Sequence, residues 1–433
     1  MKVLHIIQRY WPYIGGSERY FQEISERLVR DGHEVTLLTT DAWDLEYFWD
    51  RRKKRVETPL EVHNGVRIRR IPVRHLPASP VAYPVIRRLM ASLSHWPVGS
   101  VPLLFAAARL MPWLPDLMPV LRSIKTPFDV VHAANVPFDS LLCTAFCYAQ
   151  ERRIPFFITP FTHLGEPGSR RVRKYYTMRH QIHIMRQSAA VFVQTELERD
   201  LLASKGVPRE VMLKTGVGVN PEEVTGGNAE RFRARHGISE PIVFYIGTAA
   251  HDKGTVHLVE AMRRLWKEGN SAKLVLAGPV MDHFKKYFDR LPGDVRDRCA
   301  LLGFISEEEK RDLLAAGDVF VMPSRTDSFG IVYLEAWLCG KPVIGARAGG
   351  VPEVIRDRWD GFLVSFGDTA HLASRIAVLL EDRVLARGFG LRGKDKVLAG
   401  LTWDRVYAEI ANAYKIRSLA GEHRDLTQER HSE

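Results

Sequence analysis

Two carboxylates eight residues apart, Asp327 and Glu335, are the residues of this sequence whose types and spacing could do chemistry. They stand in the stretch Pro323-Ser324-Arg325-Thr326-Asp327-Ser328-Phe329-Gly330, which runs on through Ile331 to Gly340. Val319 to Met322 reads as a short buried strand, and Ile331 to Cys339 as a helix that Gly340 ends. Asp327 would then lie in the loop toward which the helix points its first N–H groups and positive dipole end. That is a favourable place for an anion or a sugar hydroxyl. Glu335 would lie inside the helix, so the two acids could grip opposite ends of one polar ligand. The same residues also suit a plainer role, with Asp327 or Ser328 capping the helix and Glu335 on a solvated face.

A second group of residues points the same way. After a strand at Ile242 the chain reads Gly247-Thr248-Ala249-Ala250-His251-Asp252-Lys253-Gly254. Lys253 at a helix mouth opposes the dipole and so calls for an anion in return, which a diphosphate would supply. Gly278-Pro279 and Gly303-Phe304-Ile305 put glycine at strand ends, where backbone can approach a ligand closely. Gly15 and Gly16 do so at the first strand-to-helix turn. No Gly-x-Gly-x-x-Gly fingerprint stands there, which argues against a dehydrogenase. His163, at the end of a strand from Phe156 to Phe161, suits either contact with a sugar or a packed, hydrogen-bonded place.

These stretches resemble a known family. The block from Pro323 to Gly340 is similar to the signature of the retaining family 4 glycosyltransferases, the glycosyl transferases group 1, in which two acids eight apart flank Phe-Gly. The resemblance implies that the first acid, with the amides of Ser328, Phe329 and Gly330, holds the donor sugar. It implies that Glu335 holds the nucleotide ribose. Asp327 stands where Glu is commoner in that family. Lys253 matches the family lysine that neutralises the leaving diphosphate, whereas the arginine expected after Gly247 is Thr248 here. Arg325 is the candidate to supply the missing charge. Loops at Gly278 and Ile305 would frame the base, and Gly15 and Gly16 would face the donor across a cleft. Lys253, Asp327 and His163 are the residues expected at the reacting centre. Asp327 and Glu335 are not read as a hydrolase pair, since one addresses the sugar and the other the ribose.

The resemblance further implies the GT-B architecture: two doubly wound, parallel-sheet, Rossmann-like α/β domains facing a central cleft, with a C-terminal helix crossing back to the first. The expected boundaries are 1–220 for the acceptor-side domain, 221–401 for the nucleotide-sugar domain, and 402–433 for the crossover helix and polar tail. The expected reaction is hexosyl transfer with retention from a nucleotide-diphosphate donor to a glycan, lipid-linked or small-molecule acceptor, as in polysaccharide assembly. A nucleotide-diphosphate sugar is the co-substrate, with no cofactor and no metal, and the sequence carries no Asp-x-Asp metal motif.

Composition bounds these readings. The 433 residues suffice for two ordinary domains, and 45% hydrophobic with 26% charged residues suits a soluble globular chain. No apolar run is long enough to span a bilayer, and the N-terminus lacks a signal-peptide core. The expected location is therefore the cytoplasm, with a peripheral place at the inner membrane face left open. Cys143, Cys147, Cys299 and Cys339 show neither zinc nor disulfide spacing and read as buried thiols. A net charge of +11 suits a phosphorylated substrate, an anionic membrane or nucleic acid. Under the resemblance the partners are the donor and acceptor, and no nucleic acid is expected. Two rivals are a nucleotide-sugar epimerase of the same architecture and a basic membrane- or nucleic-acid-binding protein with a vestigial site. The run Arg51-Arg52-Lys53-Lys54-Arg55 suggests the latter, although such runs are usually solvated loops.

Along the chain, strands alternate with helices in both halves, as two parallel sheets require. Strands are expected at Lys2 to Ile7, Glu34 to Thr39, Val66 to Ile71, Phe128 to Ala134, Phe156 to Phe161 and Ala190 to Gln194, and Val211 to Gly218 closes this half. The second half carries them at Ile242 to Ile246, Lys273 to Ala277, Ala300 to Gly303, Val319 to Met322, Pro342 to Gly345 and Phe362 to Val364. The segment 76–124 mixes Pro, Trp, Met, Leu and Arg. Its short amphipathic helices suit packing against the first domain, which is the reading taken, or lying on an anionic bilayer. Arg170 to Arg186 reads as one basic helix lining the acceptor side or a membrane-facing rim.

Overall fold

The computed structural model describes residues 1–13, 15–96 and 99–429. They form two units. The first holds Met1–Thr162, Arg171–Thr215 and the chain from Val406; the second holds His163–Arg170 and Gly216–Arg405. The division thus falls near 215 rather than at 220, and a short piece carrying His163 belongs to the second unit.

The first unit is built on a sheet of eight strands. They are β1 Lys2–Ile6, β2 Glu34–Thr40, β3 Leu60–His63, β4 Val66–Ile71, β5 Val130–Ala134, β6 Phe156–Thr159, β7 Ala190–Val193 and β8 Met212–Lys214. The order is β3-β4-β2-β1-β5-β6-β7-β8. The inner strands are apolar throughout, because helices cover both faces of a parallel sheet; Val3, Leu4, Val130, Val131, Phe157 and Ile158 are all buried. Only β3 runs antiparallel, pairing with β4 from Leu60↔Arg69 to His63↔Val66. The sequence reading overlooked it, yet Asn64-Gly65 carried the signal. Both residues have positive φ, 47° and 79°, as a two-residue hairpin turn requires.

The helix Gly16–Arg30 buries Tyr20, Phe21, Ile24 and Leu28. In the segment 76–124, helices Ala82–Leu93, Ser100–Ala108 and Leu117–Ser123 send Met90, Leu104, Ala108, Leu117 and Leu121 into the core. The expected packing is therefore what these residues do. Four residues of the run Arg51–Arg55 are locally engaged: Arg52 with Asp50, Lys53 with Glu46, Arg55 with Glu57, and Lys54 over the Trp43 ring.

The single basic helix expected over Arg170 to Arg186 is not formed. A 3-10 turn at Arg173–Tyr175 is followed by a separate helix, Arg179–Gln187. Between them Met178 is extended, and its N–H donates to Gln181 Oε1 at 2.9 Å, which starts the second helix afresh. The last helix runs Trp403–Glu429, past the point at Gly421 where the sequence suggested a frayed tail; 430–433 lie outside the described residues. Within the first unit Tyr414 Oη lies 3.2 Å from His5 Nε2 and 2.5 Å from His132 Nδ1.

The second unit carries six parallel strands, β9 Ile242–Ile246, β10 Lys273–Ala277, β11 Cys299–Gly303, β12 Val319–Met322, β13 Val343–Ala346 and β14 Gly361–Val364. Their order is β11-β10-β9-β12-β13-β14. Strand order reverses between β9 and β12, which pair at Val319↔Val243 and Phe320↔Phe244. In such a sheet, ligands bind beyond the carboxyl ends of the strands at this reversal. The loops leaving β9 and β12 carry Lys253 and Asp327.

Candidate functional site

The β9 loop ends in a 3-10 turn, His251–Lys253, and Gly254 turns the chain into the helix Thr255–Lys267. Gly254 has φ +78°, and a Cβ there would stand 2.2 Å from the Pro323 carbonyl oxygen. Glycine is thus what allows the β9 and β12 loops to touch. They are tied by Arg325 N–H donating to the Asp252 carbonyl at 3.0 Å. That contact brings Lys253 Nζ to 3.0 Å from Asp327 Oδ1. Burial works against charge on Asp327, but the Lys253 ammonium outweighs it and holds the carboxyl below its usual range.

The helix after β12, Ile331–Leu338, is entered through Gly330 at φ 93°, with no side-chain cap. Asp327 and Ser328 are therefore not spent on capping. The first-turn N–H groups lack intrahelical acceptors, as at any helix start.

His163 joins the same cluster from a distant part of the sequence. Its segment is anchored by Gly349 N–H donating to the Gly165 carbonyl at 2.9 Å, while Gly350 N–H donates to the Asp327 carbonyl at 2.9 Å. Gly349 has φ +61°, and a Cβ on it would meet Asp327 O at 2.0 Å. Burial, with the Lys253 charge nearby, pushes the His163 imidazole down to about 4. Arg325 stays beside this group: its Nε lies 2.9 Å from Asp252 Oδ1, its Nη1 3.4 Å from Glu166 Oε1, and its guanidinium over the Phe366 ring. Two carboxylates already meet its charge. Neither Asp252 nor Glu166 was singled out in the sequence.

Glu335 is buried rather than solvated, and Lys310 Nζ lies 2.7 Å from its Oε1. Lys310 escaped the sequence reading because it follows Glu307-Glu308-Glu309 at a helix start and looks like a partner of Glu307, which it also faces at 3.8 Å. The two acids now show a common pattern. Each has one oxygen on a lysine, and among the described residues the other, Asp327 Oδ2 or Glu335 Oε2, is buried without a hydrogen-bond partner. An orphaned buried carboxylate oxygen is costly and is satisfied by a donor such as a hydroxyl.

Glycines line the neighbouring strand ends. Gly247 and Gly278 have φ 149° and 122°, and a Cβ on Gly278 would lie 2.2 Å from Gly247 O. Thr248 contributes its carbonyl to the Tyr245 hydroxyl at 2.8 Å. Ile305 is half-buried in the loop after β11, and Phe329 is buried beside Gly330. Lys253, Asp327, His163, Arg325, Ser328, Glu335 and these glycines all belong to the second unit. Gly15 and Gly16 belong to the first, where a Cβ on Gly15 would stand 2.6 Å from Glu18 Oε2. The Glu18 carboxylate is itself held by Gln8 and Arg9, so Gly15 makes room for this ion pair.

Residues 228–396 match the profile of the glycosyl transferases group 1, and residues 15–214 that of the glycosyl transferase 4-like domain. An uncharacterised glycosyltransferase of Methanocaldococcus jannaschii is 25% identical over 96% of this chain and 98% of its own length. The alpha-D-kanosaminyltransferase of Streptomyces kanamyceticus is 30% identical over 46% of this chain, a match that spans about half of that relative, 53%. The crystal structure of Anabaena HepE in complex with UDP-glucose superposes with a TM-score of 0.67 at 17% identity, covering 96% of this chain and 99% of that one.

Proposed function

The chain belongs to the glycosyl transferases group 1, and on that premise we propose that it is a retaining enzyme moving a sugar from a nucleotide-diphosphate donor to a glycan, lipid-linked or small-molecule acceptor. The observation that carries the donor assignment is the matched state of Asp327 and Glu335, each lysine-bound through one oxygen and lacking a donor on the other. Sugar hydroxyls at Asp327 and ribose hydroxyls at Glu335 satisfy both. HepE, crystallised with UDP-glucose, has this fold, which supports a nucleotide sugar as the ligand.

In the reaction the bond from the anomeric carbon to the diphosphate oxygen breaks, and its electron pair leaves with the diphosphate. Lys253 and the first-turn N–H groups at Ile331 and Val332 meet that growing charge. The acceptor oxygen bonds to the anomeric carbon from the same face and gives its proton to the departing phosphoryl oxygen. Neutral His163 and the carboxylate of Asp327 position the sugar. No metal cofactor is assigned a part, so transfer should persist in chelator. Four free thiols suit a reducing cytoplasm as the place of reaction. Among the described residues no helix is long and apolar enough to cross a membrane.

A thermal-shift series with UDP, GDP, ADP and their sugars tests the donor assignment, since a ligand of the folded state raises its apparent stability. A melting point unmoved by every one of them would overturn it. Proton NMR of the product then reads the anomeric configuration, and inversion would defeat the retaining mechanism.

A further inference from the structure

The first unit contains a cavity that donor chemistry does not use. It measures about 540 Å³ and is walled by Phe48, Trp49, Val81, Tyr83, Met111 and Phe138, with four prolines between them. Arg87 reaches its edge, but that guanidinium is already held by Asp139 and by the Tyr175 and Pro137 carbonyls. The rest of the lining is mainly apolar, with the Tyr83 hydroxyl donating to the Arg74 carbonyl at 3.3 Å, and a space of that size and character suits an apolar ligand better than water.

Two features say what kind of apolar ligand. A second hollow of about 620 Å³ adjoins the first through Trp49 and Pro80 and is lined by Asp50, Arg51, Arg52 and His75. Arg52 is bound to Asp50 through two hydrogen bonds of 2.9 and 2.8 Å. Arg51 is exposed and has no ion-pair partner among the described residues. Apolar surface also continues outward from the cavity: Val81, Val85 and Leu89, one helical turn apart, are 66%, 45% and 63% exposed. Greasy wall, open rim and unpaired cation lie side by side.

We propose that the paired hollows bind an amphiphilic phosphate, its hydrocarbon chain in the apolar cavity and its phosphate at Arg51. The inference rests on the transferase reading and goes beyond it, adding to the first unit a site for a lipid phosphate. The chain supplies most of the affinity, because each methylene removed from water is worth roughly fourfold in binding. The guanidinium supplies the preference for phosphate over an uncharged head.

The test is calorimetric titration of the full-length protein with decyl phosphate below its aggregation concentration, beside butyl phosphate, inorganic phosphate and decyl maltoside. Decyl phosphate should bind at least tenfold tighter than butyl phosphate, and inorganic phosphate alone should not bind. Val81→Trp, at an exposed rim position, should weaken decyl phosphate at least tenfold. Arg51→Glu should weaken it about fivefold and leave decyl maltoside unchanged. No dependence on chain length, or indifference to Val81→Trp, would overturn the proposal. So would a protein that sediments with phosphatidylglycerol vesicles alike in wild type and both variants while ignoring decyl phosphate, since that is surface adsorption. The thermal shift with nucleotide diphosphates, run on the same samples, reports the donor assignment separately. If it holds while decyl phosphate fails, only the lipid site is lost.

Discussion

Lys310 Nζ lies 2.7 Å from Glu335 Oε1, joining a helix start to the middle of a buried helix 25 residues on. The lysine fixes one oxygen of the buried glutamate, and the other, Oε2, is buried without a hydrogen-bond partner among the described residues. Lys310→Ala should cost about 2 kcal/mol of stability, the order expected for a charge-assisted hydrogen bond. It should also weaken nucleotide-diphosphate binding. Glu335→Gln keeps the shape and removes the charge, and should raise the dissociation constant about tenfold, or about 1.4 kcal/mol. Denaturant midpoints and calorimetry measure the two effects. Unchanged nucleotide affinity in Glu335→Gln would remove Glu335 from the ribose.

Lys253 does for Asp327 what Lys310 does for Glu335, and it also faces the leaving group. Lys253→Ala should lower kcat/KM for transfer at least tenfold, about 1.4 kcal/mol, because two charges lose their counterpart at once. A steady-state assay with the donor found by thermal shift decides this. Turnover equal to wild type would exclude Lys253 from the mechanism.

His163 stays neutral at ordinary pH, its imidazole pushed down to about 4 by burial and by Lys253. Between that value and about 6.5 the unfolded chain binds a proton that the folded chain does not, so His163 makes stability rise with pH over that window. The pH–rate profile should therefore show no limb near 6.5 from this residue. His163→Gln should lower transfer several-fold without changing the profile's shape from about pH 5.5 to 8. Imidazole NMR signals followed through the titration check the assignment, and a His163 resonance titrating near 6.5 would refute it.

Gly349 packs its α-carbon on the Asp327 carbonyl at positive φ, where a Cβ would stand 2.0 Å from that oxygen. Gly349→Ala must shift the loop or break the contact. The expected loss is about 1–3 kcal/mol of stability, with weaker donor binding because Asp327 moves. Gly206→Ala, likewise at positive φ but meeting nothing within 4 Å, is the matched control. Equal melting points for the two variants would show the Asp327 loop to be more yielding than drawn.

Much of this was legible in the residues. Strands β4, β9, β10 and β12 fall where their apolar runs predict, and the acid pair lies across a strand-to-helix turn as its spacing implies. The hairpin at Asn64-Gly65 was legible but overlooked. The basic stretch from Arg170 was misread as continuous because composition does not reveal that Met178 breaks it.

The sequence by itself determined the two parallel sheets, the glycine turns and the acids at a helix start. Those features depend on neighbours within a few residues, where backbone sterics and apolar periodicity act. Tertiary structure alone decided that Lys253 meets Asp327, that Lys310 meets Glu335, and that His163 sits with the second unit. Such pairings join residues from 25 to more than 160 positions apart, and no local propensity encodes which charges will share a low-dielectric pocket once the chain has closed.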